Sequence, residues 1–272
     1  CILFSIGYVV AYPAIPLLHG ATKGMLGWSS HGDLTTEIAQ DQARKAPIIN
    51  AIAHTDIETL VTKPDLMRAA VEGGRAAFKV NCVQCHGSGA AGARGYPNLN
   101  DDDWLWGGDL KAIETTITNG IRNPDFDATR LSQMPAFGRD QLLPAAAIND
   151  AVAYVRTISH QQKPDAAATR GAKLFTDNCA VCHGGDGKGN RQLGAPNLTD
   201  GIWLYGGDVA TVHETISNSR QGVMPRWGDK LSPATIRMLA VYVHSLGGGE
   251  KNVVPVPAVG TVAAGAKADD QP

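Results

Sequence analysis

The chain has 272 residues, enough for about two domains of ordinary size, with 24 Lys and Arg against 26 Asp and Glu and a net charge of −2. That balance, with the basic residues scattered, excludes a positive field of the kind that holds nucleic acid. Aromatic residues make up only 6% of the chain against 31 Gly and 15 Pro, which suits small helical domains joined by ordered loops. Of the five cysteines, four form two equally spaced pairs, each followed at once by His, so they do not read as a disulfide framework.

The chain opens on an apolar run, Cys1 to Leu18, without a charge. Pro13 and Pro16 end any helix there, because each lacks an amide donor and crowds the preceding turn. About 12 residues at ~1.5 Å rise cover ~18 Å, short of the ~30 Å of a bilayer core. Residues 1–18 are therefore expected to be the outer part of a transmembrane anchor that begins upstream of Cys1. A signal peptide would carry a basic start, and a lipid-bearing Cys1 is disfavoured by bulky Ile2 and Leu3. Residues 19–65 read as a connector, helical from around Asp33 to Thr55. Its apolar positions (Leu34, Ile38, Ile48, Ile49, Ile52) are sparse, as in a solvated arm.

From there the sequence repeats. Gly74 to Phe78 is matched by Gly171 to Phe175, and Cys82-Val-Gln-Cys85-His86 by Cys179-Ala-Val-Cys182-His183, in both cases 97 residues on. Tyr96-Pro97-Asn98-Leu99 matches Ala195-Pro196-Asn197-Leu198, and Trp104 to Asp109 matches Trp203 to Asp208, both 99 on. Met134-Pro135 matches Met224-Pro225 at a spacing of 90, which places an insertion around Asn123 to Leu131 of the first copy. The duplication defines two modules, 66–160 and 165–247, joined by a short linker with Pro164. Each is expected to be mainly α: an opening helix into Cys-x-x-Cys-His, a helix capped by Asp109 or Asp208, and a closing helix with Tyr154 or Tyr242. The tail, 248–272, lacks periodicity and reads as disordered.

Cys-x-x-Cys-His is the attachment signature of c-type haem. The thiols Cys82, Cys85, Cys179 and Cys182 are expected to form thioethers, and His86 and His183 to be proximal iron ligands. Zinc sites and redox dithiols share the Cys-x-x-Cys spacing, but they leave both histidines unexplained. Met134 and Met224 are the methionines at equivalent repeat positions, each before Pro, and are expected as distal ligands; Met25, Met67 and Met238 have no counterparts. His160, His213 and His244 are the alternatives for bis-His ligation. The carbonyls of Pro97 and Pro196 are placed to accept the free ring N–H of the proximal histidines. Arg94 and Arg191 are candidates for haem propionates, with solvated loop arginines the competing reading. Trp104, Trp203, Tyr154 and Tyr242 read as core aromatics.

The modules resemble class I cytochrome c domains. The whole chain resembles the CcoP, or FixP, subunits of cbb3-type cytochrome c oxidases, through Gly7 to Pro13, Leu26 to Ser30, Arg94 to Leu99, Trp104 to Asp109 and the tandem haem motifs. The longer segment before Met134 departs from that pattern. The resemblance implies two tandem class I cytochrome c domains behind an N-terminal membrane helix, and two covalent haems c in the periplasm of a bacterial inner membrane. It also implies an electron-transfer subunit that is not an enzyme by itself. Such a subunit takes electrons from a donor cytochrome c and passes them to a haem c subunit and on to the haem-copper subunit. In families of this kind the two methionines are able to cross, each serving the other module's haem; the sequence leaves that open. The first module is slightly the more acidic, which suits a basic donor. A membrane-anchored dihaem shuttle outside any oxidase is the alternative.

Overall fold

A computed structural model of the chain describes residues 1–251. It is mainly α, with helices α1 (Ile2–Ala11), α2 (Ser30–His54), α3 (Ile57–Leu60), α4 (Pro64–Asn81), α5 (Val83–His86), α6 (Leu110–Asn119), α7 (Ala145–Ile158), α8 (Ala166–Asn178), α9 (Ala180–His183), α10 (Val209–Asn218) and α11 (Pro233–His244). A two-residue hairpin, β1 (Pro16–Leu17) with β2 (Gly20–Ala21), is antiparallel, with Pro16 opposite Ala21. The elements fall into two compact units: Cys1–Cys82 with Trp227–Tyr242, and Val83–Arg226 with the chain from Val243.

In the first unit, α1 has no buried residue. No helix among the described residues is long and apolar enough to cross a membrane; α1 itself is an apolar helix of ten residues. Ser29 caps α2 by accepting from the Gly32 amide at 3.3 Å. Only Ile52 of α2 is buried. At its C-terminus the Arg237 guanidinium of α11 donates to the carbonyls of Ala53 (2.6 Å), Thr55 (2.7 Å) and Ile52 (3.2 Å). A cation there offsets the negative end of the helix dipole. Pro64 opens α4 at a position where its missing amide costs nothing. Further along α4, Gly74 lies directly on the carbonyl of Met238 and the Cβ of Tyr242 in α11, and the Phe78 and Tyr242 rings meet at 5.5 Å.

The second unit contains the same crossing. Gly171 of α8 lies on the carbonyl of Asp150 and the Cβ of Tyr154 in α7, with the Tyr154 and Phe175 rings 5.1 Å apart. Phe137, Ile148, Val152, Val155, Phe175, Val212 and Ile216 form its core. Asp109 and Asp208 cap α6 and α10 as expected, accepting from the amides of Ala112 (2.9 Å) and Thr211 (3.0 Å). Packing does not follow the duplication. The opening helix of the first repeat, α4, crosses the closing helix of the second, α11, while α8 crosses α7.

Two loops correct or sharpen the sequence reading. The inserted segment is a closed excursion: Arg122 N donates to the Arg130 carbonyl (2.9 Å), Arg130 N to that of Gly120 (3.3 Å), and Asn123 N to Thr129 Oγ1 (3.2 Å). The tail expected to be disordered from residue 248 starts as a held strap. The Gly248 carbonyl accepts from Trp104 Nε1 (2.6 Å), Glu250 N donates to Gly108 O (2.9 Å), and the Glu250 carboxylate accepts from Gly108 N (2.8 Å) and pairs with Arg191. Composition alone missed it, because four polar contacts hold the strap where no apolar periodicity does. Residues 252–272 of that expectation lie outside the described residues.

Candidate functional site

Cys82 ends α4 and leads into α5, which carries Cys85 and His86. Cys179 ends α8 and leads into α9, with Cys182 and His183. None of the four cysteines forms a disulfide among the described residues. The Nδ1 of His86 lies 3.0 Å from the Pro97 carbonyl, and that of His183 lies 3.1 Å from the Pro196 carbonyl. A carbonyl only accepts, so Nδ1 carries the hydrogen and Nε2 keeps its lone pair for a metal. Burial pushes both imidazoles below their ordinary value, against the opposing effect of the proline carbonyl, which favours the neutral, ligating form. The loops return to the histidines through Gly92 (φ +70) and Gly189 (φ +83), where a Cβ would strike the carbonyls of Tyr96 and Ala195. Only glycine meets both demands.

Other uses of the cysteines fit poorly. Burial pushes the Cys179 thiol up to about 11, assisted by Cys182, whereas reactive dithiols have depressed values. Among the described residues, no three His, Cys, Asp or Glu side chains converge as a metal site, so the four thiols do not form one zinc centre.

The methionine-bearing segments change places. Met134 packs against the cluster that holds Phe175 and Phe137, together with Cys179, Ala180 and Trp203. Its carbonyl accepts from Ser219 Oγ after α10, and Phe137 N donates to Ile216 O at 3.1 Å. Met224 lies instead beside the end of α6, exchanging two 3.0 Å backbone bonds with Ile121. Each methionine therefore lies with the other repeat's central helix. Of the spare histidines, Nε2 of His244 is 2.8 Å from the Glu250 carbonyl, and Nδ1 of His213 is 3.4 Å from Ser217 Oγ. His160 is an exposed turn residue at φ +61.

The arginines singled out from the sequence are engaged with protein groups. Arg94 Nε donates to the Tyr205 carbonyl at 3.0 Å, and Arg191 pairs with Glu250. A different pair occupies equivalent places. Arg130 donates to the Ala112 carbonyl (3.3 Å) and lies over the Trp106 ring at 5.5 Å. Arg220 donates to the Thr211 carbonyl (2.7 Å) and lies over the Tyr205 ring at 4.8 Å. A signal was available: both stand four residues before Met, as Arg130-Leu-Ser-Gln-Met134 and Arg220-Gln-Gly-Val-Met224. Several buried donors have no protein acceptor among the described residues, including Trp106 Nε1, Arg130 Nε, Trp203 Nε1 and Arg156 Nε. Such donors are costly unless something accepts from them. They suit a ligand that brings carboxylates.

A family model described as cytochrome c oxidase, cbb3-type, subunit III matches residues 69–155 and 166–243. The chain belongs to that family. Membership indicates c-type haem binding and accounts for the paired Cys-x-x-Cys-His turns. Similar proteins include the cbb3-type cytochrome c oxidase subunit CcoP of Cereibacter sphaeroides, 53% identical over 92% of this chain and 86% of that protein. The FixP subunits of Azorhizobium caulinodans (50%, covering 92% and 84%) and Rhizobium meliloti (48%, covering 92% and 86%) are also similar.

One family-member carboxyl gives a pH prediction. Asp103 is pushed up to about 6, by burial first and then by Asp200 and Asp101, with Arg191 opposing. A folded-state value above the ordinary one means stability is fully present below pH ~4 and lost as pH rises through ~6. Asp103→Asn is therefore expected to melt like the native chain at pH 4 and higher at pH 8. Allowing for partial solvent screening, the gain at pH 8 is about 1 kcal/mol. Equal melting at pH 8 contradicts it.

Proposed function

We propose that this electron-transfer subunit of a cbb3-type cytochrome c oxidase carries two covalent haems c with exchanged distal ligands. One is held by Cys82, Cys85, His86 and Met224, the other by Cys179, Cys182, His183 and Met134. The observation that carries the reading is the paired histidine geometry. Each Nδ1 is fixed on a proline carbonyl, which leaves the lone pair on each Nε2, at the end of a turn bearing two thiols. Haem iron held by these histidines and methionines would supply one-electron transfer at raised potential. The chain's own residues do the rest. The cysteines fix the group's position, and Pro97 and Pro196 fix the ring orientation of the histidines. Trp106, Arg130, Trp203 and Arg156 offer buried N–H groups to its carboxylates. The Phe175 cluster excludes water from the second site.

On this reading the subunit receives electrons from a donor cytochrome c and delivers them to the haem c subunit, and on to the haem-copper subunit where oxygen is reduced. It lies on the periplasmic face of the inner membrane, with the apolar residues of α1 continuing into an anchor. The oxidase reading is preferred to a free shuttle because the similar proteins are named as oxidase subunits. The test is a reduced-minus-oxidised spectrum of the purified native complex with pyridine haemochrome counting on this chain. Two covalent haems, together with b-type haem and oxygen uptake, support the proposal. Two c-type haems without an oxidase would return the reading to a shuttle, and one or none would overturn the site assignment.

A further inference from the structure

Directly after α6, the residues Gly120 to Arg122 form the meeting point of the two methionine-bearing segments. On one side Ile121 and Met224 exchange backbone bonds of 3.0 Å each. On the other, Arg130 N donates to Gly120 O and Arg122 N to Arg130 O. The Arg122 side chain spans both: its Nε donates to the Gly222 carbonyl at 2.8 Å and its Nη1 to the Ser132 carbonyl at 3.0 Å. Gly222 and Ser132 each stand two residues before a methionine.

Three features distinguish this arginine from an ordinary surface cation. Its backbone sits at φ +53, a region costly for a residue with a Cβ. Its side chain is half-buried, and that burial partly withdraws the guanidinium from water. No carboxylate forms an ion pair with it among the described residues, so the desolvation is offset by two backbone carbonyls on different segments. The planar fork of arginine serves two acceptors at fixed angles; a lysine ammonium lacks that geometry. Ninety-nine residues on, the second repeat has an exposed Gln221 instead, so one residue serves both segments.

We infer that Arg122 is a positioning residue for both distal ligands, a clasp that registers the Met134 and Met224 segments against each other where they cross. The inference rests on the exchanged His–Met ligation proposed above. A methionine substitution affects one iron. Loss of the clasp lets both segments drift, so both irons lose their sulfur together.

The test uses the purified oxidase complex with Arg122→Gln, Arg122→Lys or Met224→Ala in this subunit. Two quantities are read: covalent haem per chain, and the Met-to-iron charge-transfer band of the oxidised haems c. Met224→Ala should remove about half of the band, since Met supplies one axial ligand at one of two sites. Arg122→Gln is expected to keep both covalent haems yet lose well over half of the band, with new carbon monoxide binding by the reduced haems c. Arg122→Lys should fall between that variant and the native complex. A full band in Arg122→Gln, or loss confined to one haem, overturns the clasp. If Arg122→Gln fails to assemble, Arg122→Lys decides alone: partial loss at both haems supports the clasp, and a native band overturns it. Absence of the band from the native complex would instead defeat the underlying Met-ligation reading.

Discussion

Gly171→Ala is expected to destabilise the chain by about 3 kcal/mol, at the upper end of ordinary overpacking costs. The added methyl would meet the Asp150 carbonyl and the Tyr154 Cβ, one of them backbone and the other a side-chain root, so no rotamer change relieves the clash. Relief requires α7 and α8 to part. That separation also opens the Tyr154–Phe175 contact and the core beneath it. For a chain of this size the loss corresponds to a melting point roughly 6–12 °C lower. Gly74→Ala meets the same obstacles in the first unit, Met238 O and Tyr242 Cβ, and should behave alike. Gly201→Ala is the control, because a Cβ there meets nothing within 4 Å among the described residues. Native-like melting of Gly171→Ala would show that α7 and α8 do not cross this closely.

Much of this arrangement was legible in the residues. The Cys-x-x-Cys-His turns, the proline carbonyls behind the histidines and the aspartate caps of α6 and α10 all depend on local geometry, and local geometry repeats with the sequence. Gly74 and Gly171 appeared as matched positions, and the structure supplies the reason: each is where two helices touch backbone to side-chain root. The choice of partner was not legible. Tyr154 and Tyr242 stand in like sequences, as do Gly74 and Gly171, so either closing helix suits either opening helix by pattern. Arg122 has no cationic counterpart, and the inserted loop that follows it shifts the spacing from 99 to 90. That shift also hid Arg130 and Arg220, which align only when counted back from the methionines. Arg94 and Arg191, in the loops just after each haem motif, are instead engaged with protein groups.

Exchanged ligation predicts that a methionine substitution damages the haem site of the opposite repeat. The decisive experiment removes one attachment site at a time. In a chain bearing Cys179→Ala and Cys182→Ala, only the site at His86 retains covalent haem. On that background Met224→Ala is expected to abolish the Met-to-iron charge-transfer band and lower the reduction potential, since Met ligation raises it. Met134→Ala should leave both unchanged. With Cys82→Ala and Cys85→Ala the roles reverse, because Met134 packs against the same core cluster as Cys179 and Trp203 while Met224 lies beside Ile121. The effect is all or none at each site, so a modest general destabilisation does not imitate it. If Met134→Ala strips the sulfur ligand from the haem at His86, ligation follows the order of the repeats. The contacts of Met134 with the second core would then be packing alone. If the exchange holds, neither module completes its iron site without the other, and the duplication works as one two-haem unit rather than as two cytochromes in series.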